Sequence, residues 1–589
     1  MEETMAGFLR EMKRKDKEGK EYSYWVAVKT YRDGRSGKVK HKILQTFGRL
    51  SEKETENLRL LKELKDLGEE AVVTTWQQIK IVASYDYLSV SVLDRLYRMW
   101  GLDKAIKDTE KARLVPLSVM AEILTLNRAL SPNSDYKVSH WYQTTMLPKI
   151  LATQSALVNP TRIYRSLDEI YLQEEEIQKH LAEKIPALGF DDLSLILYDI
   201  TSTYFEGYHC PIAKFGLSRD HRKDRPQILL ALAVTKEGFP FFWRVFSGEI
   251  HDSTTVKETV SALKGRFKTG NICLVMDKGM VNKDNLEGIE KDNLSYLCTI
   301  PKTSFRKLAS FPKEMLLSLA VKLETEAKKE EPDYAKVMSG FPYFAYHSDR
   351  AYFHPLEEKE EDRRYVLCFN PEKFAEERKQ RAEKIASIEK RFNQWNQELL
   401  KAKKTRDKRR TEKEIFAYLE KRKAAGLFST RVTKRKDNTL QIKWQINTQK
   451  LNLLKTTDGC YCIKTNLPQE TDPAFLVSAY RQRREVEVAF AYLKGFVEIR
   501  PLYHHKEDRV KAHITICILA YLLQVTCERL LAKAGFNLSF PEFLFRISQR
   551  RAVDVKIENL KQEGLKLPEV PPEITNLLKV LRITTPKAV

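Results

Sequence analysis

Four short runs between residues 193 and 277 constrain the fold more tightly than anything else in the chain. Leu193-Ser-Leu-Ile-Leu-Tyr-Asp199, Ile228-Leu-Leu-Ala-Leu-Ala-Val234 and Ile272-Cys-Leu-Val-Met-Asp277 are nearly continuous apolar runs of strand length. A further run, 239–246, follows the turn Lys236-Glu-Gly238. Runs this apolar fit strands covered on both faces. The first three in chain order read as antiparallel neighbours joined by a loop and a hairpin. Asp252 or Ser253 can cap a helix over roughly 254–266, and the run at 272–277 is a fourth strand. The first and the last of these runs end in an aspartate.

Three antiparallel strands, a helix and a further strand are the opening order of an RNase H-like fold. The expected class is therefore α/β, an RNase H-like core with a mixed five-stranded sheet and flanking helices. At 589 residues the chain is too long for one core. Residues 1–80 read as a basic β-hairpin, 22–49 around a turn at 33–37, plus a charged helix at 51–67. Basic and aromatic side chains share the hairpin, which suits nucleic acid, although an ordinary surface hairpin has the same composition. Residues 81–185 are mostly helical, a region for DNA binding or dimerisation. The core occupies 186–310, is interrupted by 311–460 and resumes over 461–535, and 536–589 is a helical tail. Within the interruption Ile385, Ile388, Phe392, Trp395 and Leu399 recur at 3-4-3-4 spacing, a coiled-coil seam. Ile415, Phe416 and Leu419 offer it a partner helix, so 371–424 is read as a charged helical arm. Segments 364–369 and 440–446 look like strands, making the interruption β-containing.

The balance of 102 Lys+Arg against 80 Asp+Glu leaves +22. Such an excess points to a polyanionic partner, nucleic acid first and an anionic membrane second. No apolar run approaches the roughly 20 residues that span a bilayer, and Met1-Glu-Glu-Thr-Met-Ala-Gly7 lacks the basic-then-apolar pattern of a signal sequence. A cytoplasmic protein with no membrane partner is expected. Eight cysteines in so long a chain make no disulfide scaffold. Cys460 and Cys462 share a strand face, no second Cys or His pair completes a zinc site, and all eight read as ordinary thiols.

Residues 474–494 read as one helix. At about 100° per residue, offsets of 3, 7 and 14 from Tyr480 place Arg483, Glu487 and Lys494 at roughly 300°, 340° and 320°. All four side chains then share one stripe, beside Val486, Phe490 and Leu493, which can pack on a core. A salt-bridged surface stripe has the same spacing, since Arg483 and Glu487 form an ordinary i, i+4 pair. The other reading joins Glu487 to Asp199 and Asp277. Three carboxylates at the ends of core elements suit Mg²⁺ in two-metal phosphoryl transfer, where no protein base is required.

The pattern Tyr-x2-Arg-x3-Glu-x6-Lys, met by Tyr480, Arg483, Glu487 and Lys494, resembles the signature of DDE transposases from bacterial insertion sequences. In that group an insertion splits the RNase H-like core before the Glu. Tyr198-Asp-Ile-Thr-Ser-Thr-Tyr-Phe-Glu-Gly207 and Val275-Met-Asp-Lys-Gly-Met280 resemble the segments of its first and second acids, and the loop 215–228 matches as well. The resemblance runs from about residue 20 to 535. It implies that Asp199, Asp277 and Glu487 are catalytic and hold two Mg²⁺ ions, with Mn²⁺ able to substitute. Tyr480, Arg483 and Lys494 would grip DNA phosphates, with Arg219, Lys223 and Gln227 adding DNA contacts, or else forming a solvated basic loop. His513 reads as a satisfied core histidine. Relatives often carry Trp after the signature Arg, where this chain has Arg484, which puts local stacking there in doubt. Some relatives stack a flipped base on an aromatic residue of the insertion; Trp395 belongs to the seam, and Trp444 stands as a candidate. The implied activity is cleavage at terminal inverted repeats and joining of the 3′-ends to target DNA, within a homodimer or higher synaptic complex. An RNase H-like nuclease without strand transfer and a non-catalytic DNA-binding derivative are the rival readings.

Overall fold

The computed structural model describes residues 7–583 apart from 33–37, 49, 52, 55, 58–78, 109–112, 192, 267–271, 349, 359–362, 403–405 and 558–561. The turn expected at 33–37 and most of the helix expected over 51–67 lie outside the described residues. The chain divides into two compact units: Met1–Met99, Glu122–Ile163 and Cys527–Val589 form one, Trp100–Ala121 and Tyr164–Thr526 the other.

The first unit opens with a three-stranded antiparallel sheet of β1 (Gly7–Lys15), β2 (Glu21–Arg32) and β3 (Val39–Gly48), in that order. The expected hairpin is β2–β3, and β1 is an addition. Its sequence, Gly-Phe-Leu-Arg-Glu-Met-Lys-Arg-Lys, is too charged for hydropathy to reveal a strand. Pairing along β2, from Gly7↔Lys29 to Lys15↔Glu21, supplies what its own pattern lacks. Tyr24, Val26 and Val28 alternate onto one face of β2 and are buried there. The region expected to be helical from 81 begins instead inside a strand, β4 (Ile79–Asp86).

The second unit is built on one mixed sheet. Its strands are β5 (Leu195–Tyr204), β6 (Gln227–Thr235), β7 (Pro240–Ser247), β8 (Cys273–Met276), β9 (Ser295–Ile300), β10 (Ala345–Tyr346), β11 (Tyr352–Leu356), β12 (Arg364–Phe369) and, beyond the arm, β15 (Cys460–Thr465). They lie in the order β10-β11-β12-β15-β9-β8-β5-β6-β7. Five strands were expected and nine are found. The reason is β15: it pairs antiparallel with β9 on one side and β12 on the other, so strands from segment 311–460 extend the same sheet. β6 is buried at every position, because both faces of the sheet are covered. On one face the helix Asp252–Arg266 brings Thr255 and Thr259 to the buried Tyr198 hydroxyl, at 3.3 and 3.0 Å. Elsewhere the helix Glu507–Lys533 places Thr515 Oγ1 3.1 Å from Trp243 Nε1, and its Tyr521 hydroxyl donates to the Gly238 carbonyl at 3.0 Å. That helix is long and apolar enough to cross a membrane, but 83% of its most apolar window is buried inside the protein. His513 is buried on it beside Cys517.

The arm consists of the helices Pro371–Leu400 and Lys408–Lys421, the hairpin of β13 (Phe428–Lys434) and β14 (Leu440–Ile446), and the helix Thr448–Lys455. Ile388, Phe392 and Leu399 of the expected seam are buried with Ile415 and Leu419, but also with Phe428, Val432, Leu440 and Ile442. The hairpin thus completes a core that a helix pair alone was expected to make. Phe416 is correspondingly turned outward, 61% exposed. Trp444 packs 5.3 Å from Phe392, and its Nε1 donates to Glu389 at 3.3 Å. The chain then returns to the first unit, where β16 (Arg551–Ile557) pairs with both β4 and β17 (Gln562–Lys566). The C-terminal segment expected to be helical therefore carries a hairpin between its helices Phe540–Ser548 and Pro572–Val580.

Phe392 touches Trp395, Tyr418, Phe428 and Trp444 with no exposed surface. Phe392→Ala is expected to destabilise the arm by about 3–5 kcal/mol. Hydrogen exchange should show the arm amides losing protection while those of β5 and β6 keep theirs.

Candidate active site

Strands β5 and β8 are parallel neighbours, registered Leu195↔Cys273, Ile196↔Leu274 and Leu197↔Val275. Two residues further along each chain stand Asp199 and Asp277, on strands spaced by about 4.8 Å. Asp199 is not the end of its strand as the sequence pattern implied. β5 continues to Tyr204 because β6 pairs with it throughout, whereas β8 stops at Met276. The flank of β5 beyond Leu197 is consequently open beside Asp199.

Glu487 arrives on a different element. The helix expected over 474–494 is broken into Pro473–Arg481 and Arg484–Gly495. Neither Gly nor Pro sits at the break. The first segment packs on β9, β11, β12 and β15, and the second on β5 and β6. A twisted sheet rotates between those strands, and one straight helix cannot follow both. Val486, Ala489, Phe490 and Leu493 are the buried face of the second segment. Arg483 stands at the joint. Its Nη1 lies 3.5 Å from Asp199 Oδ2 and its Nη2 2.5 Å from Glu487 Oε1. Burial works against the Arg483 charge, but Tyr480, Glu487, Asp277 and Asp199 together hold its pKa above the ordinary value. Asp199 and Glu487 thus meet on one guanidinium, with the charge of Asp277 acting on it from nearby.

Burial raises the Asp199 carboxyl to about 6, with Asp277 adding to the rise while the Ile200 N–H, Arg483 and Arg219 oppose it. Tyr480 is only partly exposed. Its hydroxyl shares a 3.0 Å hydrogen bond with Thr299 of β9, its ring lies 5.9 Å from Tyr461, and burial raises its pKa. Lys494 Nζ is 2.8 Å from Asp220 Oδ1, with 15% of the lysine and 3% of the aspartate exposed. Arg500 reaches the same carboxylate.

Residues 193–523, more than half of the chain, match the family described as Transposase DDE domain. The chain belongs to the DDE transposases. Residues 9–74 match the IS1634 family transposase N-terminal domain, which makes it a transposase of the bacterial insertion-sequence type. No curated protein matches the chain. A solved structure, the piggyBac transposase synaptic complex with hairpin DNA, shares 8% identity over 78% of each chain at a TM-score of 0.33, too slight a likeness to bear on the fold. Dependence on a divalent metal comes with the family. The donor set fits one: hard carboxylate oxygens, two of them, on Asp199 and Glu487, already holding a cation whose place a divalent ion can take.

The loop before β6 holds the remaining expected residues of the transposase. Arg219 is bound to Asp252, and its backbone N–H donates to Ser202 Oγ at 2.8 Å. Lys223 is exposed. Gln227 is not available for DNA: it is 1% exposed, and its Nε2 lies 3.4 Å from the Gly248 carbonyl. As the first residue of a strand buried on both faces, it shares that burial. The loop is fixed where Gly216 and Gly248 cross, since a Cβ on either would collide with the Gly248 or Gln227 carbonyl. Asp220, Asp252, Thr299 and Arg500 carry the site without having been found in the sequence. Only the alternating charges of Arg219-Asp220-His-Arg-Lys-Asp224 hinted at the first.

Two outcomes follow from this electrostatics. Asp199 binds its proton more tightly folded than unfolded, so in metal-free protein its charge opposes folding as pH rises from about 4 to 6 and fully above 6. Asp199→Asn should therefore stabilise the metal-free protein by roughly 2–3 kcal/mol above pH 6 and by nothing near pH 3.5, measured as unfolding midpoints across pH. Asp220→Asn leaves two part-buried cations with a neutral partner and should destabilise the protein by about 1–3 kcal/mol in thermal unfolding at pH 7.

Proposed function

We propose that the transposase cleaves DNA at the terminal inverted repeats of its element and joins the 3′-ends to target DNA at a site formed by Asp199, Asp277 and Glu487. The observation that carries this reading is the bridge of Arg483 between Asp199 and Glu487, beside the parallel β5–β8 pair that leads into Asp199 and Asp277. In it β5 to β9 form an RNase H-like core, residues 311–460 an insertion, and residues 1–80 and 81–185 the regions that read and pair the ends. Asp199, Asp277 and Glu487 would hold two Mg²⁺ ions, replaceable by Mn²⁺, which would supply activation of the attacking water or 3′-hydroxyl and stabilisation of the leaving 3′-oxygen.

The chain's own residues do the positioning. Asp199 and Asp277 hold their carboxylates side by side on a rigid sheet, and Glu487 closes the set from the helix. Arg483, which bridges Asp199 and Glu487, has the planar fork that would suit a phosphate once the acids held metal. Tyr480, tied to Thr299, fixes the joint on which Arg483 swings. Lys494 and Arg500 set two positive charges against the single negative charge of Asp220, leaving an excess for the scissile strand that the exposed Lys223 extends, while Arg219, tied to Asp252, would have to exchange that partner to reach DNA. The working form is a homodimer or higher synaptic complex in the bacterial cytosol.

The test is incubation with Mg²⁺, pre-cleaved repeat ends and a supercoiled target. Joined products are expected; cleavage without joining would make the protein a nuclease. Asp199→Asn, Asp277→Asn and Glu487→Gln should each lower both steps by on the order of 10³ or more while leaving DNA binding in place. Undiminished excision and integration in all three would sink the assignment.

A further inference from the structure

In the arm, a cavity of about 340 Å³ opens between the helix Pro371–Leu400, the end of Lys408–Lys421 and the helix Thr448–Lys455. Arg381, Lys384, Lys423 and Lys450 line it against one acid, Glu377. Glu377 already has its partners: Lys302 Nζ lies 2.7 and 3.0 Å from its two oxygens, and the Gly459 N–H donates to it at 3.0 Å. Arg381 is likewise engaged, its Nη1 donating to Asp458 at 2.7 Å. Lys384, Lys423 and Lys450 remain, and among the described residues no carboxylate pairs with them.

Their arrangement is built rather than incidental. Lys384 Nζ donates to the Lys423 carbonyl at 3.4 Å, which holds the two lysines side by side. Lys423 sits at φ 50, at the end of its helix, with Lys423 N bonded to the Glu420 carbonyl and Ala424 N to the Leu419 carbonyl, both at 2.8 Å. That is a helix-terminating position where glycine is favoured, yet a lysine stands there, exposed and lining the cavity. Burial first, then the neighbouring charges of Lys423, Arg422 and Arg381, lower the Lys384 pKa.

We propose that this cavity is a phosphate subsite, taking a backbone phosphodiester of DNA at a place separate from the three carboxylates. Clustered ammonium groups whose one neighbouring acid is already paired suit a phosphate, and contacts of this kind position a duplex without reading its sequence. That the occupant is DNA and not a free phosphate rests on the transposase reading.

The test uses the full chain with Lys384, Lys423 and Lys450 all changed to Gln. A control carries the same charge loss at the exposed Lys413, Lys436 and Lys443, which lie on the arm outside the cavity. Binding of a labelled duplex is followed by fluorescence anisotropy against NaCl concentration. The cavity variant is expected to bind about tenfold more weakly at 0.1 M salt, with the slope of log K against log salt shallower by about one, the value of one phosphate contact. The control should change by much less. Equal shifts in both variants overturn the proposal, as does no shift in either. Loss of inorganic-phosphate binding in the cavity variant, read by calorimetry with the salt slope unchanged, would overturn DNA as the occupant. Mg²⁺-dependent cleavage at saturating DNA should persist in the cavity variant, so a failure here is separable from a failure of the catalytic assignment.

Discussion

The second unit is organised around the bridge that Arg483 makes between Asp199 and Glu487. Carboxylates brought together in a half-buried cleft repel one another, and at about 4 Å such repulsion is several kcal/mol even with the effective dielectric of a protein. Some cation has to hold them. Without metal, that cation is a guanidinium supplied by the chain, and its location at the joint of a broken helix lets it reach both acids. The break is therefore part of the site. The sheet imposes it, because the strands under Pro473–Arg481 and those under Arg484–Gly495 differ in direction.

A second cluster has the opposite sign. Asp220, almost fully buried, sits between Lys494 and Arg500, while Arg219 is tied to Asp252. The loop that carries Arg219 and Asp220 can approach this closely only because Gly216 and Gly248 let two backbones cross. The two clusters share one logic, an ion of one sign holding several of the other, so neither leaves a buried charge uncompensated.

The strands that carry Asp199 and Asp277 were legible because apolar runs announce buried strands, and a polar residue at a fixed offset from such a run has a defined place. The parallel register of β5 and β8 then puts Asp199 beside Asp277. The break at Arg483 was not legible: no local residue causes it, and the sheet beneath is a tertiary fact. β1 was hidden for a related reason, since its charged sequence becomes a strand only through its partner. Gln227 misled in the other direction. A polar residue between a basic loop and an apolar run looks like a surface contact, but a strand covered on both faces takes its first residue inside. Phe416 failed because spacing indicates one helix partner for a seam and cannot indicate that a hairpin will take half of it.

The charge count gains meaning from the same comparison. An excess of +22 says that cations outnumber acids, not which of them face a polyanion. Lys494 belongs to the signature that the sequence singled out, yet its ammonium is held by Asp220. Lys384, Lys423 and Lys450 belong to no motif and lie far apart in sequence, yet they share one cavity wall. A paired cation is already neutralised and contributes to folding; an unpaired one is held only by the chain and retains its attraction for phosphate. In this transposase the cations free to meet a polyanion are identified by their partners rather than by their spacing. Spacing finds the residues that must act together, and pairing shows which of them are already occupied.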